Sequence, residues 1–282
     1  SFTADEALDF TDLQYEYGQG EYGLRPGTMK LVDGTIVPSA NPLSDARSTG
    51  IWSFGTKIDN KPFLAYDNQE HPYSAFPMKK KYKAFYNIGT NYTNSVAISS
   101  GSDRGSMRAS FANTEAKGII ERSEYKKKIV DLNMNYSLSK KITAAVSINY
   151  SNEFNQNPPL STQDMSIPCA VSTMSSTTDP RWISNPYKDP VTLNEIPFCR
   201  FTNRTNPYWA IYERTEQVYK DRVFGNTSLR WQFTPWLFAQ GRMGMDWNAQ
   251  SHNANGPTGT ASTPAAASGF NGSFSMDQSK GR

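Results

Sequence analysis

Between Ile129 and Tyr150 the side chains alternate in kind so regularly that few folds can accommodate them. Val130, Leu132, Met134, Tyr136 and Leu138 fall on one face of an extended chain, and Asp131, Asn133, Asn135 and Ser137 on the other. Ser139, Lys140 and Lys141 interrupt the pattern. It resumes with Ile142, Ala144, Val146, Ile148 and Tyr150 against Thr143, Ala145, Ser147, Asn149 and Ser151. A period of two is that of β-strands, and a short polar break between two such runs predicts a hairpin. With Leu138 opposite Ile142, Met134 meets Val146 and Val130 meets Tyr150. The apolar residues of both strands then share one surface.

That surface suits either the core of a soluble β-sandwich or the lipid-facing wall of a β-barrel. The opposite face is polar for about ten residues per strand, the length that crosses a bilayer. Tyr136 and Tyr150 stand at the two ends of the apolar stripe, as interfacial aromatics do. The 282-residue chain contains no run of 18 apolar residues, so no transmembrane helix is expected. Its mean hydropathy of −0.64 leaves a β-barrel open, because barrel strands alternate. A net charge of +3, from 29 basic and 26 acidic residues, is too balanced to suggest nucleic-acid binding. The basic runs Lys79–Lys81 and Lys126–Lys128 read as solvated strand starts, or as contacts to lipopolysaccharide phosphates in an outer membrane.

Two further hairpins follow the same logic. A strand expected over about Tyr82–Ser99 puts Tyr92, Asn94, Val96 and Ile98 on one face. It turns at Gly101–Gly105 and returns with Met107, Ala109 and Phe111. Val223, Gly225, Thr227, Leu229, Trp231 and Phe233 alternate with polar neighbours up to Thr234-Pro-Trp236. Leu237, Ala239, Gly241, Met243, Met245 and Trp247 return. Arg108, Asp131, Arg230, Arg242 and Asp246 all lie opposite the apolar stripe. On the lipid side a mid-bilayer charge would cost about 2–4 kcal/mol.

Six strands are thus expected in residues 81–250. The turns at 101–105, 139–141 and 234–236 are short; the connections 113–127, 155–216 and from 249 onward are long. Short turns at one end and long loops at the other are an outer-membrane barrel's arrangement. Residues 1–80 read as an irregular loop region, with a short helix over Asp5–Leu13. Residues 251–282 read as a flexible loop or chain break. The loop 155–216 is rich in Pro yet holds Trp182, Tyr187, Tyr208 and Trp209, too many rings for a disordered linker. It also holds both cysteines, Cys169 and Cys199. A disulfide between them would close the loop in an oxidising compartment; two thiols are the other reading.

Several stretches carry a family resemblance. Phe85-Tyr-Asn-Ile-Gly-Thr-Asn-Tyr-Thr-Asn-Ser-Val-Ala-Ile-Ser-Ser-Gly-Ser-Asp103 and Arg108-Ala-Ser-Phe-Ala-Asn-Thr-Glu-Ala-Lys-Gly-Ile-Ile120 resemble the barrel region of SusC/RagA-type TonB-dependent transporters of Bacteroidetes. Asn206-Pro-Tyr-Trp209 with Tyr212-Glu213, and Asp221-Arg-Val-Phe-Gly-Asn226, are similar to the same family. Tyr17-Gly-Gln-Gly20 and Trp52-Ser-Phe-Gly55 match more weakly.

The resemblance implies an all-β fold: a transmembrane antiparallel β-barrel segment, about six strands of a larger plugged barrel of 22 strands, with long extracellular loops. The chain, starting at Ser1 without a signal peptide and ending at Lys280-Gly-Arg282, reads as internal to a longer one. It implies a multi-pass protein of the bacterial outer membrane, in contact with its lipids and lipopolysaccharide. The partners implied are a SusD-like surface lipoprotein acting as lid, TonB through an N-terminal part outside this sequence, and a glycan or peptide substrate. An oligomer of transporter–lipoprotein pairs is expected. Trp182, Tyr187, Tyr208 and Trp209 are then candidates for contact with substrate or lid, since sugars and peptides stack on rings. The alternative is that they pack the loops together.

No catalytic constellation emerges. Gly101-Ser-Asp-Arg-Gly105 lacks the central serine of a nucleophile elbow. His71 and His252 have no metal-ligand spacing, Asp179, Asp189 and Glu195 show no pairing, and no phosphate-binding loop exists. No enzyme activity and no cofactor are therefore expected. A carbohydrate-binding β-sandwich and an outer-membrane enzyme or adhesin barrel remain as other readings.

Overall fold

The computed structural model describes residues 14–26, 29–32, 35–38, 50–67, 69–159, 167–199, 205–261 and 272–281. The helix expected over Asp5–Leu13 lies outside them. The chain divides into two compact units.

The first unit comprises residues 1–87, 159–214 and 255–273. It holds two small antiparallel hairpins, β1 (Met29–Val32) with β2 (Thr35–Pro38), and β3 (Pro62–Leu64) with β4 (Glu70–Pro72). Among the described residues three short helices accompany them: α1 (Met78–Phe85), α2 (Ile167–Thr173) and α3 (Pro207–Tyr212). A 3-10 turn covers Pro180–Ile183. The strand expected from Tyr82 is therefore a helix up to Phe85. Met78, Lys81, Tyr82 and Phe85 recur at helical spacing, and Pro77 is tolerated as the residue before the first turn. Ile51, Tyr66, Ala170, Val171, Met174, Ile183, Phe198 and Cys199 form the main core cluster, with Tyr82, Phe85 and Tyr86 packed against it.

The second unit, residues 88–158, 215–254 and 274–282, is one seven-stranded sheet. Its strands are β5 (Thr90–Ser102), β6 (Gly105–Lys117), β7 (Glu124–Ser139), β8 (Ile142–Gln156), β9 (Thr215–Gln232), β10 (Phe238–Gly256) and β11 (Ser273–Gly281). They lie in sequence order across the sheet. Met134 pairs with Val146 and Val130 with Tyr150. At the turn, however, Ser139 rather than Leu138 meets Ile142, because a bulge between Ser137 and Ser139 absorbs one residue.

Two boundaries differ from expectation. The connection read as 113–127 is a turn over 118–123, because β6 and β7 remain paired out to Lys117–Glu124. Glu115 lies opposite Lys126 there, a cross-strand charge pair that favours pairing. Residues 251–282 are not one loop: β10 continues to Gly256, and β11 forms over Ser273–Gly281. Phe274 and Met276 share one face of that strand, but two apolar residues among serines leave little pattern to read.

The register assembles a continuous apolar surface. Ile98, Ala109, Leu132, Ile148 and Gly225 form one row across the strands. Val96, Phe111, Val130, Tyr150 and Val223 form the next. Most of the large side chains of this surface are exposed, Ile98 by 67% and Met243 on β10 by 71%, while Leu132 and Val223 are half-buried. From Ile142 to Tyr150 the surface runs about 27 Å along the strand. Beyond it a polar row begins at Asn94, Asn113, Lys128, Asn152 and Asp221. Tyr150 and Asn152 both donate to the Asp221 carboxylate at 2.8 Å.

Candidate functional site

In the first unit, glycines bring two backbone segments closer than side chains would allow. Gly18 donates to Thr56 O at 3.2 Å, Gly55 to Gly18 O at 3.0 Å and Gly23 to Phe54 O at 3.0 Å. A Cβ on Gly55 would meet Gln19 O at 2.3 Å, and one on Gly20 would meet Leu24 O at 2.0 Å. Gly20 also has φ of 147°. Gly20→Ala is therefore expected to destabilise this unit by about 2 kcal/mol or more, read as a lowered midpoint in urea. Gly101→Ala, where a Cβ would meet nothing within 4 Å, should be near neutral.

The interlock turns side chains outward. Trp52 is 39% exposed and Phe54 64% exposed, and their rings meet edge to face at 6.1 Å. They help line a pocket of about 290 Å³ together with Tyr15, Phe76 and Met78. Ser53, Ser172, Thr173 and Ser176 supply hydroxyls to its wall, and Lys81 lines it too.

Lys81 is the unusual group. It is 1% exposed, on the face of α1 shared with Tyr82 and Phe85. Its amine donates to Met174 O at 2.8 Å and Ser175 O at 2.7 Å. Burial disfavours its charged form and brings its pKa down to about 7, with Asp179 opposing the shift. Asp179 itself is ion-paired with Arg181 and caps the 3-10 turn by accepting from Arg181 N. The run Lys79–Lys81 is thus a helix with Lys79 and Lys80 exposed and Lys81 inside, not a solvated strand start.

The four aromatics singled out by sequence lie elsewhere and are engaged in packing. Trp209 is 1% exposed, and its indole N–H donates to Thr260 Oγ1 at 3.1 Å. Trp182 stacks on His71 at 4.3 Å and abuts Phe63. Tyr208 lies between Phe85 and Tyr212. The Tyr187 hydroxyl donates to Glu213 at 3.1 Å. As placed, Trp209 cannot stack on a ligand, because its faces are already covered. Cys169 and Cys199 are thiols, not a disulfide. Cys199 serves the core cluster as a small apolar residue.

The loop acids have structural partners. Asp189 accepts from Val191 N and Thr192 N, both at 2.8 Å. Glu195 is buried and accepts from Asn206 N at 2.6 Å and Ala261 N at 2.8 Å. Among the described residues, no group of three or more His, Cys, Asp or Glu could hold a metal ion.

Sequence reasoning passed over Trp52, Phe54 and Lys81 as site residues. The alternation in Trp52-Ser-Phe-Gly55, two rings beside a glycine, was the available signal. For Lys81 it was helical spacing with Met78 and Phe85.

In the second unit the polar face forms its own network. Asn149 donates to Asp131, and Ser147 to Asn133 at 2.8 Å. Arg222 grips Asp246 with two bonds of 2.9 and 2.6 Å. The Arg230 guanidinium lies 3.9 Å from the centre of the Phe238 ring. Hydrogen-bonded charges on this face and exposed hydrocarbon on the other give the sheet two opposite solvent preferences. No protein-family model matches the sequence, and no curated protein matches it.

Proposed function

We propose that this chain is part of the wall and outward loops of a TonB-dependent importer in the bacterial outer membrane. It takes up oligosaccharides or peptides and works with a SusD-like surface lipoprotein. The observation that carries the reading is the two-faced sheet. Its apolar rows, largely exposed across β5 to β10, match the height of a barrel's lipid-facing band, about 25 Å. Charged residues stay on the other face or beyond the band. The resemblance to SusC/RagA-type transporters supports the same reading. So do the short turns and the 58-residue-scale loop between β8 and β9, opposite in placement along the sheet.

The second reading, a carbohydrate-binding β-sandwich, needs the same apolar face buried against another sheet. One experiment separates the two. Val146→Cys, Ser147→Cys, Ile148→Cys and Asn149→Cys are made singly in a background with Cys169 and Cys199 replaced by alanine. Each is labelled with an environment-sensitive dye in proteoliposomes. At 146 and 148 a lipid-borne quencher should dim the dye; at 147 and 149 only an aqueous quencher should. Labels reached by water alone, or by neither quencher, would remove the membrane wall.

A further inference from the structure

We propose that the pocket lined by Tyr15, Trp52, Phe54 and Phe76 is a subsite for one acidic sugar ring, whose carboxylate the Lys81 amine receives. The proposal deepens the importer reading and rests on it for the sugar's route. Rings on several sides suit the C–H faces of a pyranose. The hydroxyls already spend their hydrogens within the protein: Ser172 and Thr173 donate to Cys169 O at 3.1 and 2.7 Å, Ser176 to Tyr17 O at 2.7 Å, and Ser53 to Ser176 Oγ at 3.2 Å. Their oxygens keep lone pairs, so the wall accepts hydrogen bonds, and a polyol brings the donors. An aromatic acid brings none. Among the described residues no carboxylate lines the pocket, so none of them offers a cationic ligand a counter-charge there.

The amine supplies the charge preference. Two of its three hydrogens go to Met174 O and Ser175 O; the third has no acceptor among the described residues. α1 packs on α2 and on the 3-10 turn. The titratable groups these elements offer are Lys79, Lys80, Tyr82 and Lys83 on α1 itself, Tyr86 just after it, Cys169 on α2, and Arg181, with Asp179 just before it. Asp179 is occupied by Arg181, and Tyr15 accepts from Met78 N at 3.1 Å. An entering carboxylate would thus be the closest full counter-charge without a cation of its own. Because burial leaves the amine only partly protonated near pH 7, binding should draw a proton onto it.

The test is calorimetric titration of the full chain in detergent with D-glucuronate, D-glucose and benzoate. It is run at pH 7 in two buffers of different ionisation heat. Glucuronate should bind about tenfold tighter than either other probe, as a charge-assisted contact implies. It should take up a fraction of a proton, and its affinity should fall towards tenfold per pH unit above about 8. Lys81→Met should erase the preference for glucuronate over glucose. Trp52→Ala, at an exposed ring, should weaken both sugars alike, and it carries the test with the pH series should Lys81→Met fail to fold. Equal affinity for the two sugars, benzoate matching glucuronate, no proton uptake, or no binding of either sugar would overturn the proposal. The labelling experiment separates the two failures. Lipid contact without glucuronate preference removes the subsite alone; the converse removes the importer alone.

Discussion

Glu195→Ala should lower the stability of the loop-bearing unit by about 2–6 kcal/mol. The carboxylate is 2% exposed and is the acceptor for two buried backbone donors, Asn206 N and Ala261 N. Alanine leaves both N–H groups without a partner and without water, each at about 1–3 kcal/mol. The substitution also changes how stability depends on pH. Burial raises the Glu195 carboxyl to about 7, against an ordinary 4.5, with the two N–H bonds opposing the shift. Below pH 4.5 folded and unfolded chains both hold the proton. Between 4.5 and 7 the unfolded chain releases it and the folded one keeps it, so stability falls as pH rises, by about 3 kcal/mol in all.

Lys81 acts in the opposite sense over the next interval. Its amine is held at about 7 against 10.5. From pH 7 to 10.5 the unfolded chain keeps a proton the folded one lacks, so stability rises with pH. Together these two groups place a minimum near neutral pH. Melting temperature measured from pH 4 to 10 should show that dip. In Glu195→Ala the falling acid limb should vanish while the rising alkaline limb stays. A wild-type profile that only climbs between pH 4.5 and 7 would refute the buried-carboxyl account.

The second large effect concerns the sheet. Val146→Arg should cost about 2–4 kcal/mol in a lipid bilayer, and Ile142→Arg, nearer the band's edge, about 0–1 kcal/mol. Val146 lies mid-band, in a row with Met107, Met134 and Thr227. Ala145→Arg, on the polar face between Asn135 and Ser228, should be nearly silent. Urea titration in lipid vesicles would read all three. A cost that is flat with depth would rule out the bilayer as the solvent of this face.

What was legible in the sequence follows from where information is stored. The pairing of Met134 with Val146 could be read because alternation writes the faces of a strand directly. The bulge at Leu138 could not, since one extra residue near a turn leaves both alternating runs intact. β11 escaped notice because two apolar residues are too few to mark a period. The site was less legible still. Trp209 and Trp52 are chemically the same residue, and only tertiary packing decides that the first is sealed and the second displayed. Lys81 was hidden in a basic run whose other members are solvated. A buried amine is a property of its neighbours, here Met174 and Ser175, more than 90 positions away.

The loop-bearing unit is built from three separated stretches of chain, with hairpins of the sheet between them. This dictates an order of assembly. Each hairpin finds its partner within a few residues and can zip as soon as it is delivered, the fast kind of contact. Glu195 must wait for Ala261, 66 positions later, before its second bond can form. Until then its carboxylate and the segments it ties are incomplete, however well the sheet has progressed. During synthesis the sheet hairpins are thus the early events. The loop-bearing unit is finished only when its last stretch of sequence, residues 255–273, arrives.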